Sequence, residues 1–370
     1  LEKTVHAERF HPLISAEGPF ASVYFEDSHD TEDAAKQLEL RWRGLREQLR
    51  GDGAPDAVLD TLEEAVLTAS PAVGRSGRGL VADATRVYLD EHLLRPPAAT
   101  VARYSDLPYL VPIVEHGATG SPYLVVAVDH EGADLSVYDT QGRALFSETV
   151  SGADEPAQAA AGADTRRSGD PQPPEEEAAR RTLSTVADRL TVLADKHHAE
   201  PIFVIGEVQS RTQLLATLPE RSRAAAVALE SGSRAAGAGT VDVHRAIDQE
   251  LARRRLAVID DAADRVRAGS GRASGLAVEG LEAVTAALRA GQVETLVIGD
   301  LENRTVLVGD TPTWVATNAD QLSEMGSTVE VTRRADEALP FAAIATGAAL
   351  IRTDERLTPA DGCAALLRYT

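Results

Sequence analysis

Gly74-Arg75-Ser76-Gly77-Arg78-Gly79 places three glycines and two arginines where a backbone could close around an anion. In that reading the amides of the run, with the guanidinium groups of Arg75 and Arg78, hold a nucleic-acid phosphate. The run lacks the Gly-Lys-Ser/Thr of a phosphate-binding loop and leads into a strand, not a helix N-terminus. A glycine-rich turn entering a strand is the competing reading. Arg41, Arg43, Arg46 and Arg50 line the polar side of a helix and could dock on an RNA backbone. Rows of this kind mostly pair with acids on the same helix, here Glu39 and Glu47. Arg166 and Arg167 are the only basic pair in a long loop, between Asp164 and Asp170. They either reach an RNA backbone or stay as solvated charges.

Other chemistries lack their residues. His197 and His198 end a helix, where the dipole favours them, but adjacent helical residues face apart and make no metal pair. His6, His11, His29 and His116 are scattered. There is no HExxH, CxxC or carboxylate–histidine cluster, so neither zinc nor another metal is expected, and no Gly-x-Ser-x-Gly elbow offers a nucleophile. Cys363 reads as a buried structural thiol. No cofactor is expected.

These residues sit in a chain of 370 with a formal charge of −21. Such a balance argues against indiscriminate coating of nucleic acid, which needs a basic surface, and leaves room for local arginine clusters. Lys3, Lys36 and Lys196 are the only lysines. The arginine excess reflects either phosphate recognition or a GC-rich genome, which the heavy alanine content favours. The length predicts two or three domains. The single cysteine rules out an internal disulfide framework and fits a reducing compartment. No apolar run reaches 18 residues. Pro340–Ile351 comes nearest and is too short to span a bilayer. The N-terminus shows no signal-peptide pattern, so a cytoplasmic location is expected.

The elements that must position these groups alternate strand and helix. Ser22–Phe25 reads as a strand. Ala35, Leu38, Trp42, Leu45 and Leu49 then recur at helical spacing, with Asp30 as a candidate cap and Gly51 and Gly53 as stops. Pro55 opens a second helix carrying Val58, Leu59, Leu62 and Val66 inward. Short strands are expected at Leu80–Ala82, Val87–Leu89 and Val111–Val114. Tyr123–Val128 is a buried strand, followed by Leu135–Tyr138 and Ala144–Thr149. Ser151–Pro174 has almost no large apolar residue and reads as a long loop. A helix starts at Glu175–Glu177, and Ile202–Ile205 is the next buried strand, with a short helix near Thr212–Thr217. A helix from about Val243 through Arg265 leads into a last segment of about 100 residues. There Leu281, Val284, Ala287 and Leu288 share a helix face, Gly291 ends it, and Val293–Ile298 is a strand. Thr305–Val308 is another, and Ala342–Ala345 and Ala349–Arg352 read as strand–turn–strand about Gly347. The pattern predicts an α/β protein of three domains, 1–120, 121–253 and 254–370, the central one with a mixed or partly parallel sheet.

AVEGLEAVTAALRAGQVETLVIGD (Ala277–Asp300) and ALPFAAIATGAALIRTD (Ala338–Asp354) resemble the third domain of Pelota and the archaeo-eukaryotic class-1 release factors. The middle segment is similar to that family's central domain: a strand ending in Asp129, a strand pair, a long loop, a helix and then IFVIGE (Ile202–Glu207). The likeness spans about Pro122 to Thr370. The N-terminal third resembles the bacterial, largely actinobacterial branch related to the hibernation factor Balon. The resemblance implies a C-terminal α-β-α sandwich like that of kink-turn-binding ribosomal proteins. It also implies a ribosomal partner at the A site and elongation factor Tu as a further one. Members that release peptide carry Gly-Gly-Gln in the central loop. Between Ser147 and Glu177 this chain has no Gly-Gly and no such Gln, and its one Gly-Gln, Gly291–Gln292, lies on a helix end. The implied role is therefore non-enzymatic, acting on idle or stalled ribosomes in hibernation or dormancy. Arg41, Arg43, Arg75, Arg78, Arg166 and Arg167 are the candidate rRNA contacts. A peptidyl-tRNA ester hydrolase using another loop residue, and an acidic protein-interaction module unrelated to ribosomes, are the alternatives.

Overall fold

The computed structural model describes residues 9–28, 33–68, 76–117, 120–140, 142–151, 172–230, 240–270, 275–328 and 330–369. They divide into two compact units, residues 120–254 and a second unit made of residues 1–119 with 255–370.

The N-terminal part of the composite unit starts with the short helix α1 (His11–Ile14) and a four-stranded antiparallel sheet. Its strands are β1 (Phe20–Glu26), β2 (Gly77–Ala82), β3 (Val87–Leu93) and β4 (Val101–Ser105), in the order β3-β2-β1-β4. Strand alternation sends Ala21, Val23 and Phe25 to one face. There α2 (Ala34–Gly51) lays Trp42, Leu45 and Leu49, and α3 (Asp56–Thr68) lays Val58, Leu59, Leu62 and Val66. Burying each such side chain contributes about 2 kcal/mol. Ala35, expected on the inner face of α2, is exposed, and Leu38 is half-buried. Asp30 lies outside the described residues.

The opposite face of the sheet, with Phe20, Tyr24, Val81, Leu89 and Leu93, belongs to a core shared with the C-terminal segment. Between them sits α4 (Val111–His116), a helix where a strand is expected from VPIV. Pro112 falls in its first turn, where no amide bond is lost, and Val111, Ile113 and Val114 are all buried.

The central unit holds one mixed sheet: β5 (Tyr123–Val128), β6 (Gly132–Tyr138), β7 (Ala144–Ser151), β8 (Ile202–Gly206) and β9 (Ala226–Ala228). The order is β7-β6-β5-β8-β9, antiparallel through β5–β6–β7 and parallel through β5–β8–β9. The 26-residue α5 (Gln172–His197) covers one face with Leu183, Val186, Leu190 and Leu193, and α6 (Val208–Thr217) and α7 (Glu220–Ala225) follow β8. Val243 and Ile247 of α8 (Thr240–Ser270) cover Phe203 and Ile205 on the other face. The boundary between the units falls inside α8, between Arg254 and Arg255.

The C-terminal segment is layered. Its main sheet, ordered β10-β16-β11-β15, contains β10 (Ala277–Glu279), β11 (Val293–Ile298), β15 (Ala349–Arg352) and β16 (Cys363–Leu367). Ala262, Ala263 and Val266 of α8 pack on one face against Val297, Ala364 and Leu366. The alternate residues Leu296, Ile298, Cys363 and Ala365 face α9 (Leu281–Arg289) and α11 (Ala335–Ala345). A small sheet, β13-β12-β14, is made from β12 (Thr305–Val308), β13 (Val315–Ala316) and β14 (Val331–Arg334), with α10 (Ala319–Glu324) beside it. The strand expected at Ala342–Ala345 is instead the last turn of α11. Every residue from Ala335 to Ile344 is buried, so no periodicity marks the helix. Among the described residues, no helix is long and apolar enough to cross a membrane.

Candidate RNA interface and the base of the central loop

The long loop expected from Ser151 to Pro174 leaves the central sheet where Ser151, ending β7, pairs with Gly132, opening β6. Residues 152–171, with Arg166 and Arg167, lie outside the described residues. Asp129 closes the β5–β6 turn, its carboxylate accepting the amides of Glu131 at 2.8 Å and Gly132 at 3.0 Å. Gly206 sits at φ 125° beside it, where an added Cβ would lie 1.9 Å from the Val128 carbonyl oxygen. Only glycine allows β8 to end so close to β5. His130 Nδ1 lies 3.7 Å from Glu207 Oε2 and Nε2 lies 3.8 Å from Glu131 Oε1, all three side chains being exposed. Three acids and one histidine thus lie at the end of the sheet where β7 finishes.

The candidate arginines separate by environment. Arg78 is 1 % exposed. Its Nε and Nη2 form a fork on Asp90 at 2.8 and 2.7 Å, and Nη2 and Nη1 reach the carbonyls of Ala65 at 2.9 Å and Val66 at 3.3 Å near the end of α3. Satisfying those carbonyls is a capping role, and it leaves Arg78 no surface from which to meet a phosphate. The rRNA contact expected of Arg78 is therefore corrected to an internal clamp. Its glycine neighbours serve packing. A Cβ on Gly79 would lie 2.7 Å from the Tyr24 ring, and one on Gly77 would lie 2.9 Å from Pro97. Both residues pair in the ladder with β1 and β3, so their amides do not cradle an anion. Arg75 lies outside the described residues.

On α2, Arg41 donates to the Glu26 carbonyl and is half-buried. Arg46 and Arg50 pair with Asp60, Glu63 and Asp56 of α3 rather than with Glu39 or Glu47 of their own helix. Arg43 is exposed. Elsewhere arginine repeatedly serves backbone carbonyls: Arg223 reaches Leu215, Ala216 and Leu218, Arg289 reaches Val315, and Arg368 reaches Thr346 and Gly347. Among the described residues, Arg43, Arg95 and Arg180 are the arginines whose side chains have no hydrogen bond, ion pair or ring contact.

Two clusters join the N-terminal and C-terminal segments of the composite unit. In the first, Arg103 lies 3.5 Å over the Tyr109 ring and donates to Asp336 at 3.0 Å and Glu337 at 3.2 Å. Burial pushes the Glu337 carboxyl up, against the pull of Arg103. In the second, Arg255 donates to the carbonyls of Glu115 and, at 3.4 Å, of Gly117, closing the end of α4. Arg352 holds the Gly299 carbonyl and pairs with Glu115 at 3.5 Å, and Arg9 pairs with Glu91 at 3.3 Å. Arg95 is exposed beside them. The Arg255 guanidinium is held below its usual range by burial and then by the charge of Arg95, with Arg9 adding to it and Glu115 opposing. Burial also pushes His116 down; Glu115 opposes, and Arg255, Arg95 and Arg352 add to the effect.

No group of three or more potential metal ligands occurs among the described residues. His197 stacks on Phe146 with ring centroids 6.1 Å apart, while His198 is exposed. Cys363 is fully buried, and burial pushes its thiol up to about 12, so it is not a thiolate at neutral pH.

The family model of bacterial archaeo-eukaryotic release factor family 2 matches residues 122–272, the central unit through the end of α8. Two uncharacterized proteins of Mycobacterium tuberculosis, MT2704 of strain CDC 1551 / Oshkosh and Rv2629 of strain H37Rv, are each 47 % identical over 365 residues, covering 99 % of this chain and 97 % of the relative. The chain belongs to the bacterial archaeo-eukaryotic release factor family. Among solved structures it is similar to Archaeoglobus fulgidus Pelota, at 14 % identity and a TM-score of 0.36 over 100 % of this chain and 93 % of that one. It is also similar to a model of ribosome-bound archaeal Pelota, at 12 % identity and a TM-score of 0.42 over 100 % and 94 %.

Proposed function

We propose that this protein is a ribosome-binding translation factor that occupies the A site of idle or stalled ribosomes without releasing peptide. The observation that carries the reading is a family central domain, residues 122–272, whose long loop contains no Gly-Gly-Gln between Ser147 and Glu177. The sheet that would present the tripeptide is intact. Gly132 and Ser151 set the loop stem, Asp129 fixes the turn beside it, and Gly206 lets β8 close on β5. A loop without that tripeptide lacks the group with which the family orients water at an ester, so occupancy rather than hydrolysis is the role assigned.

The proposed rRNA contacts are Arg43, which has no partner among the described residues, with Arg75, Arg166 and Arg167 of the segments outside the described residues. Elongation factor Tu is the proposed delivery partner, and cytoplasmic dormancy the proposed setting. Sedimentation of lysate from starved cells tests the reading: the protein should travel with ribosomal fractions, and confinement to the top of the gradient would sink it. Release of labelled peptide from ribosome-bound peptidyl-tRNA above background would replace it with a rescue hydrolase.

A further inference from the structure

We propose that Arg95, Arg255, Arg352 and His116, together with Arg9, form a binding site for a backbone phosphate of RNA. The inference rests on the translation-factor reading for its choice of RNA; the cation cluster itself rests on geometry.

Four stretches far apart in the chain supply the site, and the backbone brings them together. Leu93 bridges to Gly117, and the Leu94 amide donates to the His116 carbonyl at 2.9 Å, so Arg95 leaves the ladder immediately beside His116. Arg255 is fixed by the α4 carbonyls, and Arg352 by the carbonyls of Ile298 and Gly299. These bonds hold two guanidinium groups in place before any ligand arrives. The acids present are too few. Glu91 is engaged by Arg9, and the single carboxylate of Glu115 is shared by Arg352 at 3.5 Å and His116 at 3.6 Å. Apart from the Arg9–Glu91 pair, Arg95, Arg255 and Arg352 share, among the described residues, the one carboxylate of Glu115, in a chain whose net charge is −21.

That surplus contrasts with arginines elsewhere among the described residues. Arg78, Arg103, Arg189, Arg253 and Arg334 each sit in hydrogen-bonded contact with a carboxylate. Here Arg95 has no partner among the described residues; burial lowers the pKa of both Arg255 and His116, and the charge of Arg95 adds to it. Like charges gathered without counter-charge are a standing cost that an oxyanion removes. Several cations gathered at the end of α4 suit a phosphate, which accepts from several directions at once. A linear acidic peptide would need the cations strung along a groove. The open position of Arg95 suits a phosphate on a polymer that approaches from solvent.

The test uses the purified full chain and a fluorescein-labelled single-stranded RNA of about 12 nucleotides, read by anisotropy at several salt concentrations. Arg95→Glu should weaken binding about tenfold and lower the salt slope by about one. Arg180→Glu, which alters an exposed arginine on α5 to which no RNA contact is assigned, should stay within about twofold of wild type if this site is the main contact. The His116 imidazole, followed by NMR, should titrate at higher pH when RNA is bound, because the phosphate offsets Arg95, Arg255 and Arg352. Wild-type affinity in Arg95→Glu, or an equal loss in Arg180→Glu, overturns the proposal. So does a His116 response to inorganic phosphate with RNA binding indifferent to Arg95, which would mark a small-anion site, or stronger competition by polyglutamate than by unlabelled RNA. Ribosome co-sedimentation unchanged in Arg95→Glu sinks the phosphate site and leaves the ribosomal reading intact. Arg95-dependent RNA binding without co-sedimentation does the reverse.

Discussion

Arg78 and Arg95 lie on neighbouring strands of one sheet or just beyond them, yet the two regions use arginine in opposite ways. Around Arg78 every charge is answered: the fork meets Asp90, and the remaining donors meet two helix-end carbonyls. Around Arg95 the charges accumulate: among the described residues, Glu115 alone faces Arg95, Arg255 and Arg352. The difference teaches that surplus, rather than abundance, is the useful sign of a ligand site in an arginine-rich chain. Most of the arginines here hold the protein's own backbone or acids, and a tally of arginines along the sequence would rank both regions alike.

Breaking the answered region should cost most. Arg78→Met removes the fork and leaves two carbonyls near the α3 end without a donor, so it should lower unfolding free energy by about 3 kcal/mol in a denaturant titration. An unchanged midpoint would show that the clamp is idle. Asp83→Asn comes next, at the β2–β3 turn. Burial alone would raise the Asp83 carboxyl, but hydrogen bonds from the Thr85 and Tyr88 hydroxyls and the Thr85 and Arg86 amides outweigh it and bring it down to about 2. A carboxyl depressed on folding stabilises above its unfolded pKa, and that gain disappears as pH falls through the folded value. The substitution should therefore cost about 2 kcal/mol at pH 7 and almost nothing near pH 2, where wild type has lost the same amount. Gly79→Ala should cost about 1–2 kcal/mol, because its Cβ meets a Tyr24 ring with no room to turn; a neutral result would show that the ring yields. Arg95→Ala is the sharpest contrast, with a stability change within about 0.5 kcal/mol and a positive sign, since it relieves repulsion on Arg255. Marked destabilisation would mean that Arg95 has a structural partner after all.

The strands with apolar cores were readable from pattern alone: Tyr123–Val128, Ile202–Gly206 and Val293–Ile298 fall where the sequence puts them. The family's central-domain order was readable as well, because it is carried by consecutive elements. Val111–His116 and Ala335–Ala345 contain helix where strands are expected, since an unbroken run of buried residues, Val111–Val114 or Ala335–Ile344, shows neither helical nor strand periodicity. The role of Arg78 was hidden because its partner Asp90 is twelve residues away on the adjacent strand. The cation cluster was hidden more deeply. Arg9, Arg95, Arg255 and Arg352 span nearly the whole chain, and no local spacing links them.

The composite unit has a consequence for vectorial synthesis. Phe10, Leu13, Leu110 and Ile113 are fully enclosed only when Val284, Leu339 and Ile344 are present, and those residues are made about 170 or more positions after Ile113. The N-terminal sheet can bury its α2–α3 side as soon as it emerges, but its other side must wait, apolar and uncovered, until translation is almost complete. Truncation after the central unit should therefore yield a sticky fragment that calls on chaperones, and the last hundred residues act as an intramolecular lid for the first.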